Sequence, residues 1–181
     1  TLRLARAAQS HEAHVRQFKP DAVVFPVSAQ EVSRAVKLCA KNGVPVVPRG
    51  SGTGLSGGCL PVNGGVIVVM TMMDRILEID LANRLAVVEP GLINLELSNA
   101  LQKHGFFYAP DPSSQKACTI GGNAGENAGG PYCLAYGVTS NNVLGLEAVL
   151  ADGEIIDVGG KYQDAPGYDL RGLLIGSEGT L

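Results

Sequence analysis

The sequence has 181 residues, 45% of them hydrophobic, which allows one domain or two small ones with a packed core. Fourteen basic and seventeen acidic residues give a formal net charge of −3. This balance argues against a nucleic-acid-binding protein, because phosphate backbones require clustered lysines and arginines. The longest aliphatic run, Val66–Met70, cannot span a bilayer, and residues 1–20 lack the apolar stretch of a signal peptide.

Four cysteines and 24 glycines are the informative part of the composition. The cysteines form no C-x-x-C pair and have no zinc-like spacing, so we expect reduced thiols in a cytoplasmic protein. Any association with a membrane is then expected to occur through partner proteins. The glycine content is near twice the average share of about 7%, and its clustering in two segments is the first indication of function.

The first unit, residues 19–82, predicts the order strand, helix, strand, loop, strand. Before it, residues 1–18 have the pattern of a polar, helical lead-in. The helix begins at a capping box formed by Ser28 and Glu31, and Gly43 ends it. The strands are expected at Ala22–Phe25, at Val44–Pro48, where two prolines favour the edge of a sheet, and at Val66–Met70.

The second unit, residues 83–181, contains a long segment without clear periodicity. From Ala109 to Asn142 the chain is dense in Gly, Asn, Pro, Ser and Thr, and loops beyond about 15 residues are uncommon in compact domains unless functional or disordered. Apolar segments on both sides favour the functional alternative. The neighbouring elements are expected to be a hairpin of Ile76–Ile79 with Leu85–Val88, a helix from an Asn94 cap to Gly105, strands at Val143–Leu150 and Ile155–Val158 around an Asp-Gly turn, and a short helix at Asp169–Ile175.

The segment Gly52–Gly57 matches the dinucleotide-binding pattern G-x-G-x-x-G and follows a strand. That pattern also needs a helix that opens at the third glycine and packs on the sheet, and the eight residues before the strand at position 66 leave no room for one. We therefore reject the Rossmann interpretation. The five glycines of residues 50–58 still allow backbone N–H groups to surround a diphosphate, with the hydroxyls of Ser51 and Thr53 as further donors.

A second glycine-rich segment runs from Thr119 to Gly130. Its amide side chains, Asn123 and Asn127, either bind the polar edge of a ligand or occupy left-handed turn positions. In the same way, Arg49 either offsets phosphate charge at the first loop or pairs with a carboxylate elsewhere. One glycine-lined surface for phosphates and another for a flat ring suit an extended dinucleotide better than a small metabolite.

Eight motifs occur in a characteristic order: PRGSGTGLSGG at 48–58, PDPSS at 110–114, TIGGN at 119–123, NAGG at 127–130, YG at 136–137, LADG at 150–153, GYDL at 167–170 and GSEGTL at 176–181. Together they resemble the FAD-binding PCMH-type domain of the vanillyl-alcohol oxidase superfamily. Within it, the sequence is most similar to the family that contains glycolate oxidase subunits and the D-lactate and D-2-hydroxyglutarate dehydrogenases. The resemblance covers residues 20–181 and implies an α+β fold of two subdomains with FAD extended between them, consistent with the division near residue 82.

The resemblance also assigns contacts with the cofactor. It implies that the first glycine loop wraps the pyrophosphate, that the second segment lines the flavin, that the backbone of Ile156 lies near the adenine, and that the Glu178 segment closes on FAD. Together with Arg49 and Asn127, the expected FAD-binding residues are Gly50, Ser51, Gly52, Thr53, Gly54, Pro112, Ser114, Thr119, Gly122, Asn123, Gly129, Gly137, Ile156 and Glu178. Members with covalent FAD often carry a histidine in the pyrophosphate loop, so Ser51–Thr53 at that place implies noncovalent FAD.

The implied reaction is hydride transfer from the α-carbon of a 2-hydroxy acid to flavin N5, with an electron acceptor or partner redox subunit to reoxidise the flavin. In relatives the base, the arginine clamp and a histidine-bound metal belong to a C-terminal cap domain. We therefore expect this sequence to be a segment of a longer protein and to be inactive alone. We assign it no catalytic residue and no metal ligand, since its histidines (His11, His14 and His104) lie in no motif. The alternative is a flavin-binding electron-transfer subunit without substrate chemistry of its own. A cell-wall enolpyruvyl reductase is disfavoured by the motifs at 110–130 and 176–181.

Overall fold

A computed structural model describes residues 18–162 and 167–181 of the protein. Its strands are β1 (Ala22–Val24), β2 (Val46–Arg49), β3 (Val66–Val69), β4 (Ile76–Asp80), β5 (Leu85–Val88), β6 (Gly145–Val149) and β7 (Ile155–Gly159). Its helices are α1 (Ala29–Lys41), α2 (Asn94–Gln102), α3 (Ile120–Glu126), α4 (Cys133–Tyr136), α5 (Thr139–Asn142) and α6 (Leu170–Leu174). This mixture of helices with small separate sheets confirms the α+β class. The lead-in predicted for residues 1–18 lies outside the described residues, apart from its last position.

The first unit is a three-stranded parallel sheet in the order β1–β3–β2, with α1 packed against it. The Ser28 Oγ caps α1 by accepting a hydrogen bond from Glu31 N at 3.3 Å, as the capping pattern predicts. Val32 and Val36 of α1 pack on Val68 of the central strand in the larger apolar cluster. The proline-containing strand β2 lies at the edge of the sheet, which confirms the prediction.

Residues 50–65 join the parallel neighbours β2 and β3 without a helix. Parallel strands normally need a crossover of a dozen or more residues, usually a helix, so a helix-free connection of this length is unusual. Its far end is fastened where Gly65 N donates to Asp21 Oδ2 at 2.6 Å and Asp21 N donates back to Gly65 O at 2.8 Å. This connection, whose first part is the glycine loop of residues 50–58, therefore runs from the carboxyl end of β2 to the start of β3.

Two antiparallel hairpins follow the parallel sheet, β4–β5 and β6–β7. The boundary predicted at residue 82 falls in the turn of the first hairpin, and the division into subdomains stays a prediction. Helix α1 of the first unit contacts the β6–β7 hairpin. The buried Ser33 Oγ donates to Gly153 O at 2.6 Å across this contact. Helix α1 thus packs against both the parallel sheet and the β6–β7 hairpin, and Val149 of β6 joins the same apolar cluster as Val68.

Two sequence-based assignments were wrong. Asn94 does not cap α2: the N-cap is Ile93, and the Asn94 side chain is buried, where it donates to Pro110 O at 3.0 Å. The segment 109–142 is not one loop, because it contains the short helices α3, α4 and α5. Helix α3 was not predicted because its glycines and asparagine have low helix propensity. The Thr119 hydroxyl caps this helix by accepting a hydrogen bond from Gly122 N at 3.2 Å.

The longest described helix, α1, has 13 residues. Within residues 18–162 and 167–181, no helix has both the length and the apolar character needed to cross a bilayer.

Candidate cofactor-binding cleft

A cleft with a volume of about 2200 Å³ is lined by residues of both units. Its walls include the glycine loop after β2, the helix α3, the strand β6 and the C-terminal segment 177–181. Most of the expected FAD-binding residues line it, namely Arg49, Gly50, Ser51, Gly52, Thr53, Gly54, Ser114, Thr119, Gly122, Asn123 and Glu178. The structure therefore brings two distant glycine-rich segments to one cavity.

The Arg49 side chain folds back over the glycine loop. Gly52 has a φ of +75°, and a Cβ at this position would collide with the Arg49 guanidinium. The same guanidinium donates through Nη1 to Cys59 Sγ at 3.6 Å and forms no ion pair with a carboxylate in the described part of the chain. Of the two alternatives for Arg49, the structure favours a positive charge held at the loop.

The glycine loop lies along α3 from one end to the other. A Cβ on Gly50 would collide with the hydroxyl of Thr119, the buried N-cap of α3. A Cβ on Gly54 would lie 2.8 Å from Oε1 of Glu126, the last residue of α3. A side chain at position 50 would therefore force the loop or the Thr119 cap to shift, whereas one at position 54 would require only the flexible Glu126 side chain to move.

The buried donors at the loop fit a diphosphate. The Ser51 Oγ is buried and has no hydrogen-bond partner among the described residues, and such a buried unpaired hydroxyl is unfavourable unless a ligand or water satisfies it. Ser51 immediately precedes the left-handed Gly52, whose missing Cβ leaves room for the Arg49 guanidinium. A cation, a free hydroxyl and glycine N–H groups at one place form a donor set suited to the oxygens of a pyrophosphate.

Two carboxylates also face the loop, and the sequence analysis did not single out Glu126. Burial, together with the neighbouring Glu178 carboxylate, raises the pKa of Glu126 above its usual range. Glu178 has a φ of +54° and donates its N–H to Gly125 O at 2.9 Å, so its segment is held against α3. The Glu178 segment thus borders the cleft, as the resemblance implies, and it brings negative charge there.

The two asparagines of the second segment are engaged within the protein. The buried Asn123 accepts from Asn94 Nδ2 at 2.8 Å and donates to Cys118 Sγ at 3.2 Å. Asn127 has a φ of +49°, and its Oδ1 accepts from Ser140 N at 2.9 Å. These contacts favour the structural alternative for both side chains, and their cofactor contacts stay predictions.

Other expected residues lie away from the cleft wall: Pro112, Asn127, Gly129, Gly137 and Ile156. Gly129 is needed because a Cβ would collide with Cys133 Sγ, and Gly137 because it ends α4 with a φ of +76°. Ile156 pairs with Ala148 in the β6–β7 hairpin. All four cysteines are free, and no group of three or more His, Cys, Asp and Glu within the described ranges could hold a metal ion.

Comparisons with known proteins agree with this geometry. Residues 20–159 match a family model described as an FAD binding domain. The chain is 52% identical over 166 residues to glycolate oxidase subunit GlcD of Bacillus subtilis, covering 91% of this chain and 35% of that relative. It is 46% identical over 160 residues to a D-lactate dehydrogenase of Archaeoglobus fulgidus, covering 88% of this chain and 36% of the relative.

Among solved structures, an alkyldihydroxyacetonephosphate synthase superposes with a TM-score of 0.79 at 27% identity, covering 91% of this chain and 30% of that one. The chain therefore spans about a third of the length of the curated relatives it matches. The family match extends across both units and includes the glycine loop and α3. With the cleft that joins these elements, it shows that the chain belongs to the PCMH-type family of FAD-binding domains.

Proposed function

We propose that this chain is the FAD-binding part of a flavin-dependent 2-hydroxy-acid dehydrogenase or oxidase that acts on substrates of the glycolate or D-lactate type. The observation that carries the proposal is the glycine loop along α3, with the Arg49 guanidinium folded over it and the Ser51 hydroxyl unpaired. The names of the relatives supply the substrate class, since one is a glycolate oxidase subunit and another a D-lactate dehydrogenase.

In this proposal the chain binds and orients the cofactor. The N–H groups and hydroxyls of residues 50–54 hold the pyrophosphate, and Arg49 offsets its charge. FAD supplies the hydride acceptor for oxidation of the substrate α-carbon. The catalytic base, the arginine clamp and any metal ligands are proposed to lie in a cap domain of the longer protein, so this segment alone is inactive.

The longer protein is further proposed to work in the cytoplasm with an electron acceptor or a partner redox subunit. Two observations support this: the relative from Bacillus subtilis is named as a subunit, and the four thiols of this chain are free.

The reaction is tested by anaerobic reduction of the flavin in the full-length protein with a panel of 2-hydroxy acids. Bleaching of the oxidised flavin absorption by glycolate or D-lactate is expected, while the corresponding simple alcohols, which lack the carboxylate, leave it unchanged. If no 2-hydroxy acid bleaches a protein that does contain flavin, the proposed substrate class is wrong and the family assignment still stands.

The attachment of FAD is proposed to be noncovalent. The loop has serine and threonine in the neighbourhood where covalent members often carry histidine, and none of the residues lining the described cleft is a histidine. We therefore expect acid or heat precipitation to leave all flavin in the supernatant. Flavin absorbance that stays with the precipitated protein after washing would contradict this.

A further inference from the structure

Tyr108 is a second cleft residue whose hydroxyl is buried without a hydrogen-bond partner. In the part of the chain that the structure describes, the other buried side-chain atom in this condition is the Ser51 Oγ, which lines the same cleft. Buried polar groups are almost always paired in native proteins, and an exception indicates a missing ligand, water or ion. Both unpaired hydroxyls therefore indicate ligand contacts in one cavity.

Among the described residues no group forms a hydrogen bond of normal geometry with the Tyr108 hydroxyl, although the Thr139 hydroxyl lies near it. The Thr139 side chain, a neighbour of the phenol, is fully buried, and its hydroxyl donates to Ala128 O at 2.7 Å. Burial raises the pKa of Tyr108 to about 12, opposed in part by the Thr139 hydroxyl, so the phenol is neutral at physiological pH. A neutral phenol can both donate and accept a hydrogen bond.

The position of Tyr108 is fixed by α2. Tyr108 N donates to Ser98 Oγ at 3.1 Å, and the same hydroxyl reaches Tyr108 O at 3.4 Å. The wall contributed by α2 and the following chain is apolar, with Leu97, Leu101 and Phe106 lining the cleft. An apolar wall with one fixed polar group suits a flat ring, whereas the cationic, glycine-rich wall at Ser51 suits phosphates.

We propose that the Tyr108 hydroxyl hydrogen-bonds to the flavin end of FAD, at a polar atom of the ring or a ribityl hydroxyl, and acts as a positioning residue for the ring. This inference rests on FAD occupying the cleft. It assigns a hydrogen bond to the apolar wall of the cleft, whereas the pyrophosphate loop forms the cationic, glycine-rich wall. No sequence motif singled out Tyr108. Bound flavin would supply the hydrogen-bond partner that the described residues do not provide.

The test is Tyr108→Phe in the full-length protein, with FAD affinity measured by titration of the apoprotein. Loss of one neutral hydrogen bond is expected to raise the dissociation constant about five- to tenfold. The apoprotein variant is expected to be at least as stable to heat as the wild type, since its removed hydroxyl had no partner. FMN, which keeps the ring and ribityl chain but lacks the adenylate, is expected to lose the same factor.

The absorption spectrum and the reduction potential of the flavin distinguish a hydrogen bond to the ring from one to a ribityl hydroxyl. A shift of the long-wavelength flavin band and of the reduction potential in Tyr108→Phe indicates a bond to the ring, and an affinity change without either shift indicates a ribityl hydroxyl. The control is Tyr132→Phe, which removes a half-exposed phenol outside the cleft and should leave affinity and spectrum unchanged.

Unchanged FAD affinity in Tyr108→Phe would overturn the inference, because the hydroxyl would then bind water only. A loss seen with FAD and absent with FMN would also overturn it, since the contact would lie beyond the flavin end. Failure of the wild-type protein to bind FAD would instead contradict the proposed function, so the two failures are distinguishable.

Discussion

The backbone conformation of Gly52 and the position of the Arg49 guanidinium depend on each other. Its φ of +75° is one that side chains rarely adopt, and its missing Cβ leaves the space that the Arg49 guanidinium fills. A side chain here would therefore displace the cation from the loop as well as strain the backbone. Gly105 has nearly the same φ, +77°, but nothing lies within 4 Å of the place its Cβ would take. Substitutions at Gly52 and Gly105 therefore distinguish the effect of backbone strain from the effect of a steric collision.

We predict that Gly52→Ala abolishes FAD retention, while Gly105→Ala retains it. A left-handed alanine costs each variant roughly 1–2 kcal/mol, so their loss of stability should be similar. Only Gly52→Ala moves the Arg49 guanidinium. Flavin content per purified protein, with urea denaturation for stability, measures both effects. Equal flavin content in the two variants would contradict the assignment of the loop to the pyrophosphate.

At the scale of single residues, the sequence indicated which residues line the cleft better than it indicated which residues they contact. The glycine loop was predicted because glycine has a distinct conformational range and clusters locally. The contact of Asn123 with Asn94 was not predictable, because it joins residues 29 positions apart and depends on how α2 meets α3. Tyr108 gave no local signal, since a tyrosine near an apolar segment is typical of an ordinary core position.

Helix α1 shows which elements sequence patterns predict well. Its cap at Ser28 and its apolar stripe lie within one segment, so the prediction needed no knowledge of the tertiary structure. The helices of residues 109–142 are four to seven residues long, and α3 contains glycines and an asparagine. Such short helices are stabilised by caps and tertiary contacts rather than by propensity, so no periodic pattern marks them.

The contact of α1 with the β6–β7 hairpin gives a prediction for the junction of the two units. Ser33→Ala leaves Gly153 O without its buried donor and is expected to lower the free energy of unfolding by about 1–3 kcal/mol. Urea denaturation of the full-length protein measures this. Ser28→Ala on the same helix removes the cap and no contact between the units, and should cost about 1 kcal/mol. A Ser33→Ala variant as stable as the wild type would show that this bond is unimportant.

For the whole molecule, the α+β class and the order of the elements outside residues 109–142 were predicted from sequence, whereas the cleft was not. Its walls come from the loop at 50–54, from α3 and from β6, which are far apart in the chain. Distances of this kind depend on packing between elements, which a single sequence does not display. The family resemblance supplied the expectation that FAD lies between the units.

A cofactor that contacts both units should stabilise both together. At a free FAD concentration of 100 times the dissociation constant, the expected gain in the free energy of unfolding is about 2.7 kcal/mol. Hydrogen exchange of the full-length protein should then show added protection at residues 50–54, at α3 and at β6. Protection limited to one of these segments would mean that the ligand does not bridge the cleft.

The strand order β1–β3–β2 also constrains how the domain can assemble during synthesis. Among the described strands, β1 and β2 pair only with β3, which leaves the ribosome after both of them and after the intervening glycine loop. Until residue 65 has been synthesised, these two apolar strands therefore lack the partner that joins them. When Val66–Val69 emerges, the sheet and the two ends of the loop can become ordered in one step, so the cradle for the pyrophosphate forms together with the sheet.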